Sequence, residues 1–540
     1  MNKGLSPEGD NPIRNGAQIA LWTIVSRLTG LLRVVAIAAV LGPTYFGNIY
    51  QATNTIPNIA FEMLIGPLFV SLLVPTIVNR TDSGDGDVAA RILRGFLGLT
   101  LTLFGIVAIL LVLAGQLLVT ALTVGVTDTS ISNAQRAVAL PLLALFMPQL
   151  LLYAIIGCCI AAQQSRGSFA LPAAAPAFEN LTTIAVMVGY KSLFDGESEL
   201  TSISAGHLLW LGCGTTGAVL AHASVQWYGA RRVGITLYPR WGASDPDVRA
   251  ILKLAYPSLG FAGANALRTL VILIFAGGVP GGVVAFQLAY NFYTLSDAVI
   301  GRPIAQATLP SLARSYAARN LQEFRDILVR SIRVVLFLTV PIGILYIVVP
   351  DHIAQIVSTG EMASPSGLGL ISDSLIGLAI GSVASAVLIL VIHASYARRN
   401  ALRPTVAVSI RAVTLGSVLV AWILLDIEHS VLALGLITSA SDILALLILA
   451  APFFGERRKP GGLRVATNRW AFLLAAGTAL AVGSIASYSL DRQSIATVSP
   501  AHLALTLLFV ASSYIATHML LHSHEMILLS GWLKNRRRPE

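Results

Sequence analysis

The sequence predicts an all-α polytopic membrane protein of about fourteen membrane-spanning helices, on three observations. Of 540 residues, 55% are hydrophobic and 11% charged, and mean hydropathy is +0.75, well beyond the range of water-soluble domains. The apolar residues come in stretches of about 20, the length of a helix across a bilayer. The basic residues recur on every second connection between those stretches.

The spans begin near Ala17, Asn48, Gly95, Ala137, Ala170, Ile203, Val248, Gly282, Arg330, Gly367, Thr405, Val431, Arg469 and Ala501. With the N-terminus in the cytoplasm, the even-numbered connections carry Arg80, Arg91 and Arg94, then Arg166, then Arg231, Arg232 and Arg240. Further along they carry Arg314, Arg319 and Arg325, then Arg398, Arg399 and Arg403, then Arg457, Arg458 and Lys459, and finally Lys534 and Arg536 to Arg538. The intervening connections are neutral or acidic, as at Asp195, Glu197 and Glu199, at Asp351 and Glu361, or at Asp426 and Glu428. This asymmetry is the positive-inside pattern and sets both termini in the cytoplasm of a multi-pass protein. The net charge of +10 therefore reflects topology, and no nucleic-acid partner is expected.

The first span follows a polar stretch of about sixteen residues and contains two arginines, so it does not read as a cleavable signal. Arg27 and Arg33 are its most informative residues. A cation at membrane depth costs roughly 3 kcal/mol on insertion scales, so it is kept where it faces a polar cavity or a partner. Ser26, Gly30 and Arg33 fall on one helix face, while Arg27 is turned from Arg33 by about 120°. One arginine is thus expected to face a cavity and the other a partner, and Glu62 in the second span is the obvious acid for a structural pair.

An internal repeat organises the chain. A shift of 235 sets Leu32-Arg33 on Leu267-Arg268, Ile65-Gly66 on Ile300-Gly301, Pro75 on Pro310, Ile92-Leu93 on Ile327-Leu328 and Ala162 on Ala397. With a small gap, Pro172 then meets Pro404, and Gly229-Ala230-Arg231-Arg232 meets Gly455-Glu456-Arg457-Arg458. The chain reads as two pseudo-symmetric six-helix lobes, residues 1–235 and 236–463, and a C-terminal region, 464–540, with two more helices and a basic tail. Six crossings return the chain to its starting side, so the repeats are parallel. Transporters built this way bind between the halves and rock one against the other, which predicts a central cavity and alternating access.

These residues carry a resemblance to the MurJ/MviN family of lipid II flippases, in the multidrug/oligosaccharidyl-lipid/polysaccharide exporter superfamily. The Ser-Arg-x-x-Gly-x-x-Arg pattern stands as Ser26-Arg27-Leu28-Thr29-Gly30-Leu31-Leu32-Arg33, and Pro57-Asn58, Gly66 and Val74-Pro75 follow in the family's order. Leu309-Pro310-Ser311-Leu312-Ala313 is similar to the family's Leu-Pro-x-Leu-Ser. The chain departs from the pattern at Val34, at Gly47-Asn48-Ile49-Tyr50, at Ile65, and at Ala60, Phe61 and Asn291, where family charges are missing. The resemblance implies a flippase that carries a polyprenyl-pyrophosphate disaccharide-peptide to the outer leaflet of the bacterial cytoplasmic membrane for peptidoglycan synthesis. It leaves open another polyprenyl-linked glycan, or a transport-inactive relative that scaffolds wall synthesis.

Under this reading the substrate-binding candidates are Ser26, Arg27, Arg33, Glu62, Arg268, Asp297 and Arg302. The guanidinium fork pairs bidentately with phosphate and stays charged at any accessible pH. Arg268 repeats Arg33, Asp297 repeats Glu62, and Arg302 follows Asp297 by just over one turn. Glu179 and Arg411 match with opposite charge and are candidates for a gating or cross-lobe pair, the alternative being local pairing such as Arg411 with Asp442. For the family's coupling to membrane potential or a monovalent cation, Asp442 is the acid of suitable type, and Arg411 beside it can stand in for a bound cation. His222 and His393 read as packing or capping residues.

Cys158, Cys159 and Cys213 lie within spans without metal-ligand spacing, so no metal or resident cofactor is expected. No nucleophile elbow or Walker loop occurs, and Leu41 to Asn48 lacks the acid that membrane glycosyltransferases use, so no enzyme is expected. The expected partners are the polyprenyl lipid, membrane lipids, and cell-wall synthesis or division proteins.

Overall fold

The computed structural model describes residues 12–64, 73–82, 86–425, 427–454, 469–492 and 500–521, which are helical apart from turns and connections. Ile65-Gly66, Asp426, Gly455 to Lys459 and the basic tail lie outside them. Two compact units divide the chain at Thr269 and Leu270, inside the seventh span.

The first unit contains α1 (Pro12–Leu41), α2 (Tyr45–Leu64), α3 (Val74–Asp82), α4 (Gly86–Leu113), α5 (Gly115–Leu122), α6 (Thr129–Phe146), α7 (Pro148–Gln164), α8 (Ala170–Phe194) and α9 (Ala205–Arg232). It also holds the first part of α10 (Pro246–Gly277). Gly42 stops α1 at a φ of 62°, with Pro43 behind it, the usual left-handed end of a helix. α8 packs on both α1 and α9, and α9 reaches α6 and α7. A buried cluster joins Ile37 and Leu41 of α1, Phe46 and Tyr50 of α2, Leu142 and Phe146 of α6, and Met187 and Tyr190 of α8. Outward, α4 and α5 expose Leu103, Ile106, Ile109, Leu113 and Leu117, apolar surface that suits hydrocarbon rather than water.

The connection after α9 is strapped to α3 and α4. Arg80 lies 2.9 Å from Asp247, and Arg91 lies 3.1 Å from Asp245 and 3.5 Å from Asp247. Arg94 donates from Nε to the Thr236 carbonyl at 3.0 Å and sits 4.3 Å from the centre of the Tyr238 ring. The backbones touch here as well, since a Cβ on Gly98 would fall 2.0 Å from the Arg240 carbonyl oxygen. The second and sixth connections therefore lie at the same end of this unit.

The second unit contains the rest of α10, then α11 (Gly282–Ser296), a π turn (Asp297–Gly301), α12 (Arg302–Ala317), α13 (Leu321–Val348), α14 (Pro350–Val357) and α15 (Pro365–Ala397). It continues with α16 (Leu402–Leu424), α17 (Val431–Phe454), α18 (Arg469–Arg492) and α19 (Pro500–Leu520). α15 is its axle: capped by Ser364 and started by Pro365, it packs against α11, α12, α13 and α17. It is apolar around most of its circumference, as a largely enclosed helix must be, with Ile380 left open on one side. The C-terminal pair, α18 and α19, packs on α13 through Ala475, Ala479, Val510 and Tyr514.

Twelve described helices or helix pairs are long and apolar enough to cross a membrane. The second and eighth spans are not among them. α2 carries Asn48, Gln51, Asn54, Asn58 and Glu62, while α11 and α12 carry Gln287, Asn291, Asp297, Arg302 and Gln306. These two spans occupy matching places in the repeat.

Candidate functional site

In the first unit the polar side chains converge where α1, α8 and α9 meet. Arg33 Nη1 lies 3.3 Å from Glu179 Oε1, and His222 Nδ1 lies 2.8 Å from Glu179 Oε2, so one carboxylate bridges three helices. One residue on, Asn180 donates from Nδ2 to the Ser26 carbonyl at 3.2 Å and to the Thr29 hydroxyl at 3.1 Å. Gly30 completes the fit, since a Cβ there would touch Asn180 Nδ2 at 3.5 Å.

The face formed by Ser26, Gly30 and Arg33 is therefore the packing face of α1 against α8, and Arg27 is exposed. The acid on Arg33 is Glu179 rather than Glu62, which is exposed on α2. The reason is rotational, because Glu179 projects from the helix that α1 packs against. His222 is a further correction: it holds a carboxylate at the centre of the network rather than capping or packing at a span end. His393 does make a local contact, with Nδ1 2.9 Å from the Ile389 carbonyl. Arg268 is buried on α10.

The second unit has its own network. Arg411 of α16 pairs with Asp442 of α17 at 2.5 Å, both buried. Tyr293 of α11 donates its hydroxyl hydrogen to Asp442 and receives Arg411 Nη2 at 3.4 Å. Glu179 and Arg411 thus each pair within their own unit, the local alternative to a cross-lobe contact. Asp297 accepts from the Ser385 hydroxyl at 2.8 Å.

Asp297 opens the π turn, two residues past which Pro303 has no N–H to offer the preceding turn. Turns of this kind re-aim the side chains that follow them and recur at functional sites. Here Arg302, Gln306, Pro310 and Arg314, each four residues from the last, form an exposed row along α12. On α2 the exposed pair is Asn58 and Glu62, again four apart. Charged groups at membrane depth are stable when they face water or a partner, so these rows mark the sides of α2 and α12 that are suited to a polar path. By contrast, α13, α15 and α17 border an apolar groove of about 510 Å³, lined by Leu336, Ile344, Ile380, Val387 and Leu446 among others.

Tyr293, Asn180 and Ser385 are the partners that sequence reasoning missed. Asn180 beside Glu179 in an apolar span, and His222 one turn before Gln226, were the available signals. Among the described residues, no three His, Cys, Asp or Glu side chains come together as metal ligands. Cys158 and Cys159 are buried and free, and Cys213 is free and exposed.

A family model described as lipid II flippase MurJ matches residues 37–516. A probable lipid II flippase MurJ of Rhizobium tropici is 26% identical over 384 residues, which is 71% of this chain and 70% of the relative. A solved structure titled lipid II flippase MurJ, inward closed conformation, superposes with a TM-score of 0.71 at 16% identity, covering 94% of this chain and 99% of the other. An inward-facing multidrug resistance transporter of the MATE family and MOP superfamily superposes with a TM-score of 0.55 at 15% identity, covering 81% and 94%.

Proposed function

The chain belongs to the lipid II flippase MurJ family, and from that membership we propose that it moves lipid II from the cytoplasmic to the outer leaflet by alternating access. It is a multi-pass membrane protein. The observation that carries the site assignment is the pair of guanidiniums on one apolar helix: Arg27 is exposed, and Arg33 keeps 31% of its side chain open while held by Glu179. Arg33 is the pyrophosphate contact, and Arg27 and Glu62 of the first unit and the α12 row from Arg302 of the second are the polar faces each unit offers to the substrate. Arg268 and Asp297, which repeat Arg33 and Glu62 in the sequence, are further candidates for substrate contact. Arg411 and Asp442 act as a fixed strut within the second unit, and Glu179 holds Arg33 in place until substrate arrives.

The groove bordered by α13, α15 and α17 has the apolar lining that an isoprenoid tail needs. Both termini face the cytoplasm, which agrees with the basic second and sixth connections meeting at one end of the first unit. Partners in wall synthesis or division would dock at the bacterial cytoplasmic membrane. The reaction involves no bond cleavage, so the protein acts as a transporter.

The test is translocation of labelled lipid II in proteoliposomes containing the full-length protein. Wild type should move it, and Arg33→Ala should move it roughly thirtyfold more slowly, while its thermal melt stays that of a folded protein. Equal rates in the two would overturn the assignment of Arg33.

A further inference from the structure

Arg33 cannot hold a phosphate by two nitrogens in the position it occupies. Nη1 is committed to Glu179 at 3.3 Å, and Nε is buried with no hydrogen-bond partner among the described residues. The end-on edge of the fork includes Nη1, and the side edge includes Nε. A two-point grip on an oxyanion therefore requires the guanidinium to turn away from Glu179.

What then remains on Glu179 is decided by a relay of amides. Gln163 Nε2 donates to the carbonyls of Cys159 and Gln226, both at 3.2 Å, which fixes the orientation of its amide. The same nitrogen lies 2.7 Å from Gln226 Oε1, so that oxygen accepts and Gln226 Nε2 is left to donate. It does so to the Pro172 carbonyl at 3.5 Å and to His222 Nε2 at 3.4 Å. A ring nitrogen that accepts carries no hydrogen, so the hydrogen of His222 is on Nδ1 and points at Glu179 Oε2. His222 meets the carboxylate as a hydrogen-bond donor through Nδ1. Arg33 is the full cation on the carboxylate.

We infer that Glu179 takes up one proton when Arg33 turns to an incoming pyrophosphate, so that each captured anion brings a proton into the membrane helices and each release expels it. This rests on the assignment of Arg33 to the pyrophosphate. The proton comes from the buffered aqueous phase, whose acid component gives it up, and forms an O–H bond at Oε1, the oxygen that Arg33 vacates, while Oε2 keeps the hydrogen bond from His222. An unpaired carboxylate only 15% exposed gives up its hydration without recompense, and protonation removes that penalty. Tyr153 of α7 is in electrostatic reach of Glu179, Glu62 also acts on Tyr153, and Tyr50 of α2 is in reach of Arg33. None of these is a cation that could replace Arg33.

The experiment is binding of lipid II to the detergent-solubilised full-length protein between about pH 6 and 8, with proton uptake counted by calorimetry in buffers of different ionisation enthalpy. Wild type should lose affinity by about tenfold per pH unit at the alkaline end and take up about one proton per lipid there. Glu179→Gln should bind across the range as wild type does at its acid end, and His222→Asn, which retains a donor to Glu179, should keep the slope. If Glu179→Gln does not fold, the wild-type proton count decides alone. Flat wild-type binding without proton uptake, with binding lost in Arg33→Ala, would overturn the proton proposal and leave the assignment of Arg33 standing. Wild-type affinity in Arg33→Ala would overturn both.

Discussion

Glu179 and Arg411 hold matching places in the sequence repeat with opposite charge, and each is met from the next span of its own half, Glu179 by a hydrogen bond from His222 and Arg411 by the Asp442 carboxylate. At this position of the repeat one half holds an acid and the other a base, and the helix that follows supplies the matching partner in each.

The first prediction separates binding from packing at Arg33. Arg33→Ala removes a charge-assisted contact worth about 2 kcal/mol and should slow translocation roughly thirtyfold. Arg33→Lys keeps the charge without the fork and should fall between that variant and wild type. Because Glu179 is the structural partner, Arg33→Ala with Glu179→Ala should regain thermal stability and not transport. Recovery of transport in the double variant would leave Arg33 a purely structural residue.

The buried pair in the second unit should behave differently. Arg411→Ala strands the Asp442 carboxylate with Tyr293 and should cost about 3–5 kcal/mol, whereas Arg411→Met with Asp442→Leu should melt close to wild type. Melting curves of the three proteins in one detergent check this. A coupling acid, rather than a strut, would show itself by loss of transport in the stable double variant.

At the strap between the second and sixth connections, Arg91→Ala removes contacts to both Asp245 and Asp247 from a side chain that is 41% exposed. Such exposed pairs contribute under about 1 kcal/mol, so the melting temperature should barely move. Local order should change more. Limited proteolysis within residues 233–245 should become faster in the variant, and also in wild type at high salt.

Asp128 caps α6 by accepting from the Ser130 hydroxyl at 2.6 Å and from the backbone N–H groups of Ser130 and Ile131 at 2.8 and 3.3 Å. The Ser130 hydroxyl first, and then these N–H groups, hold its carboxyl below the usual carboxylate range. Since the folded state favours the ionised form, the cap's contribution is full above the ordinary carboxylate pKa and is lost as pH falls through the depressed one. Wild type and Asp128→Ala should differ in melting temperature at neutral pH and converge on acidification. A constant difference would mean that the charge plays no part.

Much of the fold was legible in the residues. Ala170, Gly282, Val431 and Arg469 begin observed helices, as the hydropathy pattern places them. The polarity of the second and eighth spans is likewise plain in their Asn, Gln and charged residues. Which acid meets Arg33 was not legible, because a helix apolar on most sides carries no pattern that fixes its rotation, and Glu179 is 146 residues away. His222 was hidden for the same reason, since only its contact with Glu179 distinguishes it from a histidine that packs. The π turn at Asp297 could have been sought from Pro303, whose missing N–H leaves the turn before it to find another closure.

The strap around Asp245 and Asp247 also bears on how the molecule could be divided. The sequence repeat divides the chain near residue 235, whereas packing divides it at Thr269, so residues 236–269 pack with the first unit. A polypeptide cut near residue 235 would lack the acids that Arg80 and Arg91 hold, along with the Arg240 backbone that Gly98 admits. Split versions of this protein should therefore reassemble poorly when severed near residue 235, and a break in the connection after α10 should do little better, since it parts Phe275 from Trp422 and His429.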